Sequence, residues 1–311
     1  MNSPAPVFYA IGGLWCLLIL ASLIVFGLKK SKPEKDYTEL VLRTKSWWWM
    51  IGLFSGAVLS SPPVAIGFLG FVSFLAFKEF VSQIPTRRAD RRVLFWAYLS
   101  IPVQFYWAAT AWYGMFIIFI PVYMFLFIGF RMIIAQATQG FLKAAATIHW
   151  GLMTCVFSVS HLAYLFVLPQ IPVGGSTGGA GLLLFLVFLT QFNDVAQYCW
   201  GKTFGKHKVI PLVSPKKTWE GLLGGIFTTV AASVLLAPYL TPFSMLHAAL
   251  AALIIGVFGF IGDVSISAIK RDLGVKDMGH TIPGHGGIMD RIDSLTFTAP
   301  LFFHFTYYLY Y

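Results

Sequence analysis

The sequence of residues 263–293 is DVSISAIKRDLGVKDMGHTIPGHGGIMDRID, and it collects charged side chains between two apolar runs. It holds five of the twelve acidic residues of the chain. Asp263, Ser267 and Lys270 are spaced i, i+4 and i+7, so they share one face if the preceding apolar run is a helix. The glycines that follow allow the backbone to bend and to approach a ligand closely, because glycine has no Cβ atom. The stretch therefore predicts a helix end, a glycine-rich loop and the start of another helix.

This combination of side chains favours a site for a metal ion and phosphate. Carboxylates, basic side chains and a glycine loop occur together within one short stretch. Mg²⁺ prefers one or two carboxylates together with substrate phosphates over a cage made only of protein ligands. The competing interpretation is a solvated loop between two membrane helices, and the density and spacing of the ionisable groups favour the functional one.

The composition indicates an integral membrane protein. Of the 311 residues, 58% are hydrophobic, 17% aromatic and only 11% charged, whereas roughly a quarter of the residues of a soluble protein are charged. Runs long enough to span a bilayer can be drawn at residues 7–28, 46–61, 63–80, 93–110, 112–131, 144–168, 180–200, 218–239, 246–269 and 292–311. The predicted fold class is an all-α, polytopic membrane protein with about ten transmembrane helices in a single membrane domain, residues 1–311. The first run is too long for a cleaved signal peptide and lacks a basic start, so we expect it to stay in the mature protein.

The placement of charge predicts the orientation. The net charge of +10 would suit a nucleic-acid partner in a soluble protein, but all 22 Lys and Arg residues fall in alternate loops. By the positive-inside rule these loops are cytoplasmic and both termini are non-cytoplasmic. We therefore expect a membrane protein whose basic loops face the cytoplasm, with no nucleic-acid partner. Cysteines introduced at Gly175 and Lys206 should accordingly label from opposite sides.

The N-terminal part, residues 1–179, is interpreted mainly as scaffold spans, and residues 180–311 as catalytic spans and loops. Cys16, Cys155 and Cys199 lie in or at apolar runs without paired spacing, which argues against a disulfide framework or a zinc site. Gly52 and Gly56 form a GxxxG spacing that favours close helix packing, and a homo-oligomer is left open.

A second informative stretch, residues 193–221, is NDVAQYCWGKTFGKHKVIPLVSPKKTWEG. A charge at the bilayer centre costs about 2.5 to 3.5 kcal/mol, so Asp194 should face a wet cavity or a partner. Five lysines follow, enough positive charge for a triphosphate: Lys202, Lys206, Lys208, Lys216 and Lys217. Ser214 before Pro215 predicts a helix N-cap, whose free amides would favour phosphate.

The two stretches resemble the bacterial-type phosphatidate cytidylyltransferase family, the CDP-diacylglycerol synthases. The resemblance is strongest in the last 120 residues, where the family signature looks complete from Ser267 to Asp293. The segment SPKKTWEG, residues 214–221, and the pair Asp194 and Tyr198 look like further family blocks. Gln197 departs from the small residue expected before the tyrosine, which leaves open a paralogue with a specialised lipid pool.

The resemblance implies transfer of CMP from CTP to phosphatidate, giving CDP-diacylglycerol and pyrophosphate. It implies Mg²⁺ as cofactor, with a second cation left open, and a metal site at Asp263 and Asp290 with Ser267 and Asp194 in support. Catalytic roles are implied for Asp263, Asp290, Lys270, Arg271 and Arg291. Substrate-binding roles are implied for Lys216, Lys217, Ser214, Asp194, Tyr198, Lys276, Asp277, His285, Gly286 and Gly287.

Two alternatives are compatible with the same sequence. The acceptor could be another lipid phosphate, such as an archaeal-type ether lipid. From a different class, the protein could be an ion-coupled transporter whose intramembrane aspartates relay ions. The family chemistry requires Asp263 and Asp290 to share a site that Lys216 or Lys217 also lines, in a cleft open to the cytoplasm and, laterally, to the inner leaflet.

Overall fold

The structure is a computed structural model that describes residues 5–31, 34, 36–87, 90–136, 138–172 and 177–311. These residues form helices joined by loops, with no β-strand beyond two isolated bridges, Lys208 with Thr218 and Ile282 with Gly286. In chain order the helices are α1 Ala5–Ser31, α2 Thr38–Leu59, α3 Pro62–Gln83, α4 Arg91–Ala109, α5 Tyr113–Ile134, α6 Phe141–Val167, α7 Gly178–Phe204, α8 Trp219–Leu240, α9 Met245–Asp272, α10 Met289–Ile292 and α11 Leu295–Tyr310. Gly175 lies outside the described residues.

The ten predicted apolar runs correspond to α1 to α9 and to the pair α10 and α11. Seven helices of the described chain, α1, α3 and α5 to α9, are long and apolar enough to cross a membrane. The helix α11 has 16 residues, fewer than the roughly 20 that a span needs, and α2 carries Glu39, Arg43 and Lys45 in its first half. The all-α, polytopic membrane protein predicted from the composition is confirmed.

The core of the bundle lies around α6 and α7, which are the most buried of the seven helices. Large side chains such as Leu165, Phe185 and Phe302 are completely buried there. A π-helical turn, Leu152–Ser158, interrupts α6, and the Ser73 hydroxyl of α3 donates a hydrogen bond of 2.7 Å to the Cys155 carbonyl oxygen in this turn. The helix α1 exposes most of its apolar surface, as expected of a lipid-facing helix.

Glycines allow close packing of α7 against α8 and of α9 against Asp293. A Cβ atom on Gly221 of α8 would lie 2.8 Å from the carbonyl oxygen of Gln197 in α7. A Cβ atom on Gly262 of α9 would lie 2.6 Å from the Asp293 carbonyl oxygen. Gln197, which departs from the family pattern, is buried and donates a hydrogen bond of 3.4 Å to the Gly256 carbonyl oxygen of α9. The two charged stretches therefore meet at one end of the bundle.

The prediction that Ser214 caps the next helix is wrong. The helix α8 begins at Trp219, and the Thr218 side chain is the cap, accepting a hydrogen bond of 3.2 Å from the Gly221 amide. The amide of Val209 donates to the Lys217 carbonyl oxygen at 3.2 Å and closes the loop that precedes Thr218, whose own backbone is extended. Ser214 lies instead in a turn, where its amide donates to the Ile210 carbonyl oxygen at 2.9 Å.

Candidate active site

Two ion pairs mark the charged end of the bundle. Lys217 Nζ lies 2.6 Å from Asp263 Oδ2, and Lys270 Nζ lies 2.9 Å from Asp290 Oδ1. The first pair keeps about a fifth of each side chain exposed, at 22% and 23%. The Asp290 side chain is only 2% exposed. The two pairs thus differ in access: Asp263 is open to a ligand and Asp290 is enclosed by protein.

Asp263, nine residues before the end of α9, belongs to a group of acidic side chains. The Ser267 hydroxyl donates a hydrogen bond of 3.3 Å to Asp263 Oδ1, which confirms that the two residues share one helix face. Asp194 and Asp293 lie near enough to interact electrostatically with Asp263. Asp194 itself accepts hydrogen bonds from the Ser294 hydroxyl at 3.0 and 3.2 Å. Lys217 is therefore paired with Asp263 and also interacts electrostatically with Asp194 and Asp293.

This surrounding keeps Lys217 charged. Burial alone would lower its pKa, but the negative charges of Asp263 and Asp194 outweigh burial and raise the pKa above its ordinary value. The ammonium group is also 5.6 Å from the centre of the Phe260 ring, within the range of a cation–π contact. A fixed positive charge is thus placed beside the carboxylates.

Asp290 organises the loop between α9 and α10, residues 273–288, which is called the glycine loop below. Its Oδ2 atom accepts hydrogen bonds from the Met278 amide at 2.8 Å and the Gly287 amide at 3.0 Å. Gly286 has φ +79°, and a Cβ atom there would lie 2.9 Å from Asp290 Oδ2 and 3.3 Å from the Asp277 Cβ atom. Glycine is therefore required where the loop closes around the Asp290 carboxylate.

A cavity of about 280 Å³ lies between α7, α8 and the segment that joins them. It is lined by Tyr198 and four lysines, Lys202, Lys208, Lys216 and Lys217. Lys202 Nζ is 5.7 Å from the centre of the Tyr198 ring. A concave site with one sign of charge concentrates ligands of the opposite sign, so this cavity is suited to a polyanion.

The remaining predicted residues border these features. Arg271 donates from Nε to the Val213 carbonyl oxygen at 3.3 Å and so fastens the α7–α8 segment to α9. Lys276 is exposed. The Arg291 Nε atom is buried without a hydrogen-bond partner in the described part of the chain. Burial, followed by the charges of Arg291 and Arg43, lowers the pKa of His285 to about 4, and the His285 ring packs edge-on against Trp47 at 5.9 Å.

Sequence reasoning missed two acids of this region. Asp293 is the last residue of the recognised signature. It lies at the start of a predicted span, and this position was the signal that could have identified it as a site residue. Glu79 lies in α3, within the part interpreted as scaffold, yet its carboxylate contacts the glycine loop. An ionisable residue inside an apolar run is a functional candidate by default, and this signal was present in the sequence.

The donors at Asp263 are of the type that Mg²⁺ takes. In the described residues, no group of three or more His, Cys, Asp and Glu side chains is arranged to hold a metal ion. Asp263 and Ser267 nevertheless offer carboxylate and hydroxyl oxygen atoms, and Asp263 is partly exposed. Hard oxygen donors of this kind, completed by substrate phosphates, match the ordinary coordination of Mg²⁺.

A polytopic helical membrane protein with paired lysine and aspartate side chains at converging helix ends is the class of molecule that these features define. A profile of the cytidylyltransferase family matches residues 41–309, and the chain belongs to that family. The resemblance inferred from residues 194–293 is thereby confirmed.

Three relatives illustrate the range of similarity. The chain is 44% identical over 295 residues to YnbB of Escherichia coli K12, described as an uncharacterized protein, covering 95% of this chain and 96% of that one. It is 36% identical over 154 residues to a phosphatidate cytidylyltransferase of Staphylococcus aureus, covering 49% and 59% of the two chains. It is 38% identical over 117 residues to a phosphatidate cytidylyltransferase of Mycobacterium bovis, covering 38% of each chain.

Proposed function

We propose that the protein transfers CMP from CTP to phosphatidate, forming CDP-diacylglycerol and pyrophosphate at the cytoplasmic membrane face. The observation that carries the proposal is the Lys217–Asp263 pair at 2.6 Å, whose lysine also lines the four-lysine cavity. This arrangement sets an accessible carboxylate beside a concentration of positive charge, as nucleotidyl transfer between two polyanions requires. Membership in the cytidylyltransferase family supports this chemistry over ion transport.

In the proposed reaction, a phosphate oxygen of the lipid forms a bond to the α-phosphorus of CTP. The bond from that phosphorus to the oxygen bridging to the β-phosphorus breaks, and its electron pair leaves with pyrophosphate. The attacking oxygen is already anionic, so a strong general base is not needed. Catalysis then consists of positioning the two phosphates and stabilising their charge, which are tasks for Lys202, Lys208, Lys216 and Lys217.

We propose Mg²⁺ as the cofactor, held by Asp263 with Ser267 in support. When bound, it would neutralise phosphate charge and orient the triphosphate. The role of Asp290 as a second ligand stays a prediction. Its contacts with Lys270 and two backbone amides support a role in shaping the glycine loop.

We propose that the lipid approaches beside the glycine loop from the inner leaflet. A cavity of about 760 Å³ lies between the ends of α3, α6 and α9. Apolar residues such as Ile148 and Trp150 line it together with the charged residues Lys143 and Asp272. Such a mixture suits the junction of lipid chains and headgroup.

The proposed topology has ten spans, cytoplasmic basic loops and both termini on the opposite side, in the inner membrane of a bacterium.

The test uses the full chain, purified in detergent with Mg²⁺ and radiolabelled CTP. Phosphatidate should yield a labelled liponucleotide, and Asp263→Asn should abolish its formation while the protein remains folded. Transfer only to a different lipid phosphate in a panel would reassign the acceptor. Absence of transfer to every lipid phosphate would refute the proposed function.

A further inference from the structure

The glycine loop is held by helices of the N-terminal part. The Arg43 Nε atom donates to the Gly284 carbonyl oxygen at 3.2 Å, and the Ser46 hydroxyl donates to the Pro283 carbonyl oxygen at 2.6 Å. From α3, the Gln83 side chain donates to the Met278 carbonyl oxygen at 3.1 Å. Side chains of both α2 and α3 therefore hold the loop through hydrogen bonds to its backbone.

Glu79 of α3 is a buried acid that contacts the same loop. It is 7% exposed, and its carboxylate accepts hydrogen bonds from the Thr281 hydroxyl at 2.5 Å and the Met289 amide at 2.9 Å. A Cβ atom on Gly279 would lie 2.8 Å from this carboxylate, and one on Gly287 would lie 2.3 Å from it. The loop is thus closed tightly around an acid from a distant helix.

Glu79 and Asp290 contact the same short piece of backbone. The Gly287 amide donates a hydrogen bond to Asp290, and a Cβ atom on Gly287 would collide with the Glu79 carboxylate. Met289, whose amide binds Glu79, is the residue directly before Asp290. The two carboxylates therefore fix the backbone on both sides of Gly287, and through it the position of Asp290 beside Lys270.

We infer that Glu79 is a positioning residue for the transfer reaction, acting through the glycine loop. This inference rests on the proposed function. A small displacement of groups that bind the reacting phosphates costs on the order of 100-fold in rate. Loss of the Glu79 contacts should therefore lower the turnover number more than the affinity for CTP.

The experiment compares Glu79→Leu, Glu79→Gln and Thr281→Val with the control Gln104→Leu. Gln104 is also buried in the N-terminal part, with donated bonds to the Phe116 carbonyl and the Ser160 hydroxyl, but it lies away from the loop. Glu79→Leu should lower kcat about 100-fold with a change in KM for CTP below about threefold. Glu79→Gln keeps the shape and should lose less. Gln104→Leu should lower Tm and leave kcat within about twofold.

The contact itself is tested by a double variant. If Glu79 acts through Thr281, adding Thr281→Val to Glu79→Leu should cause no further loss of kcat. Independent, multiplying losses would overturn the inference, as would kcat within about twofold of wild type in a folded Glu79→Gln and Glu79→Leu.

A readout without turnover separates this inference from the proposed function. Trypsin cleaves after exposed lysines, and Lys276 lies in the glycine loop. Glu79→Leu should be cleaved at Lys276 faster than wild type and faster than Gln104→Leu. Unchanged cleavage of Glu79→Leu would refute the positioning role, whether or not the wild-type protein makes a liponucleotide. Absence of liponucleotide from the wild-type protein, with faster cleavage of Glu79→Leu, would refute only the proposed function.

Discussion

Lys216 and Lys217 are neighbours in sequence with different surroundings. Lys217 is paired with Asp263, whereas Lys216 is exposed at the cavity. Lys217→Gln leaves Asp263 without its cation, and we expect kcat/KM to fall about 100-fold. Lys216→Gln removes a more screened charge, so we expect an increase of about tenfold or less in KM for CTP that shrinks as salt is added. Steady-state kinetics at two ionic strengths check both. Equal losses from the two variants would contradict the difference in role.

His285 predicts a dependence of stability on pH. Its folded pKa of about 4 lies below the ordinary value of 6.5, so the unfolded chain binds more protons between these values. The contribution of His285 is then complete above about pH 6.5 and is lost as the pH falls toward 4. Thermal unfolding of wild type and His285→Gln should show a steeper loss of Tm for wild type over this interval. If Tm falls equally with pH in wild type and in His285→Gln, the lowered pKa of the His285 imidazole does not contribute to stability.

At the scale of elements, the approach of α7 and α8 depends on glycine. Gly221→Ala would press a methyl group against the Gln197 carbonyl, so we expect a loss of about 1 to 3 kcal/mol in stability. Gly129→Ala in α5 is the matched control, because a Cβ atom there meets nothing within 4 Å. Alanine favours helix by up to about 1 kcal/mol over glycine, so this variant should be unchanged or more stable. Unfolding of both in detergent provides the measurement, and equal effects would argue against the close contact.

The helices were largely predictable because apolar runs long enough to span a bilayer are a strong local signal. The helix boundaries were harder to predict. Ser214 before a proline has the local features of a cap, but the hydrogen bond from the Val209 amide to the Lys217 carbonyl oxygen belongs to the loop, and α8 begins at Trp219. The face shared by Asp263 and Ser267 follows from helical spacing and was predicted correctly. The contact of Glu79 with Thr281 spans 202 positions, and no local pattern encodes it.

At the scale of the whole molecule, the side of the membrane on which each loop lies can be measured. With the native cysteines replaced, Lys206→Cys should react with an impermeant thiol reagent from the cytoplasm. Ser61→Cys, in the exposed turn between α2 and α3, should react from the opposite side. The reason is the placement of all basic residues in alternate loops. Reaction of both positions from one side would overturn the proposed topology.

The distance in sequence between Glu79 and its donors affects the biogenesis of the protein. During translation α3 enters the bilayer before Thr281 and Met289 have been synthesised, so the Glu79 carboxylate must first exist without the two donors that later satisfy it. An unsatisfied acid in a membrane segment is costly. Insertion of the last helices supplies the two donors and therefore relieves this cost, whereas a chain that ends before the glycine loop would keep the Glu79 carboxylate without them.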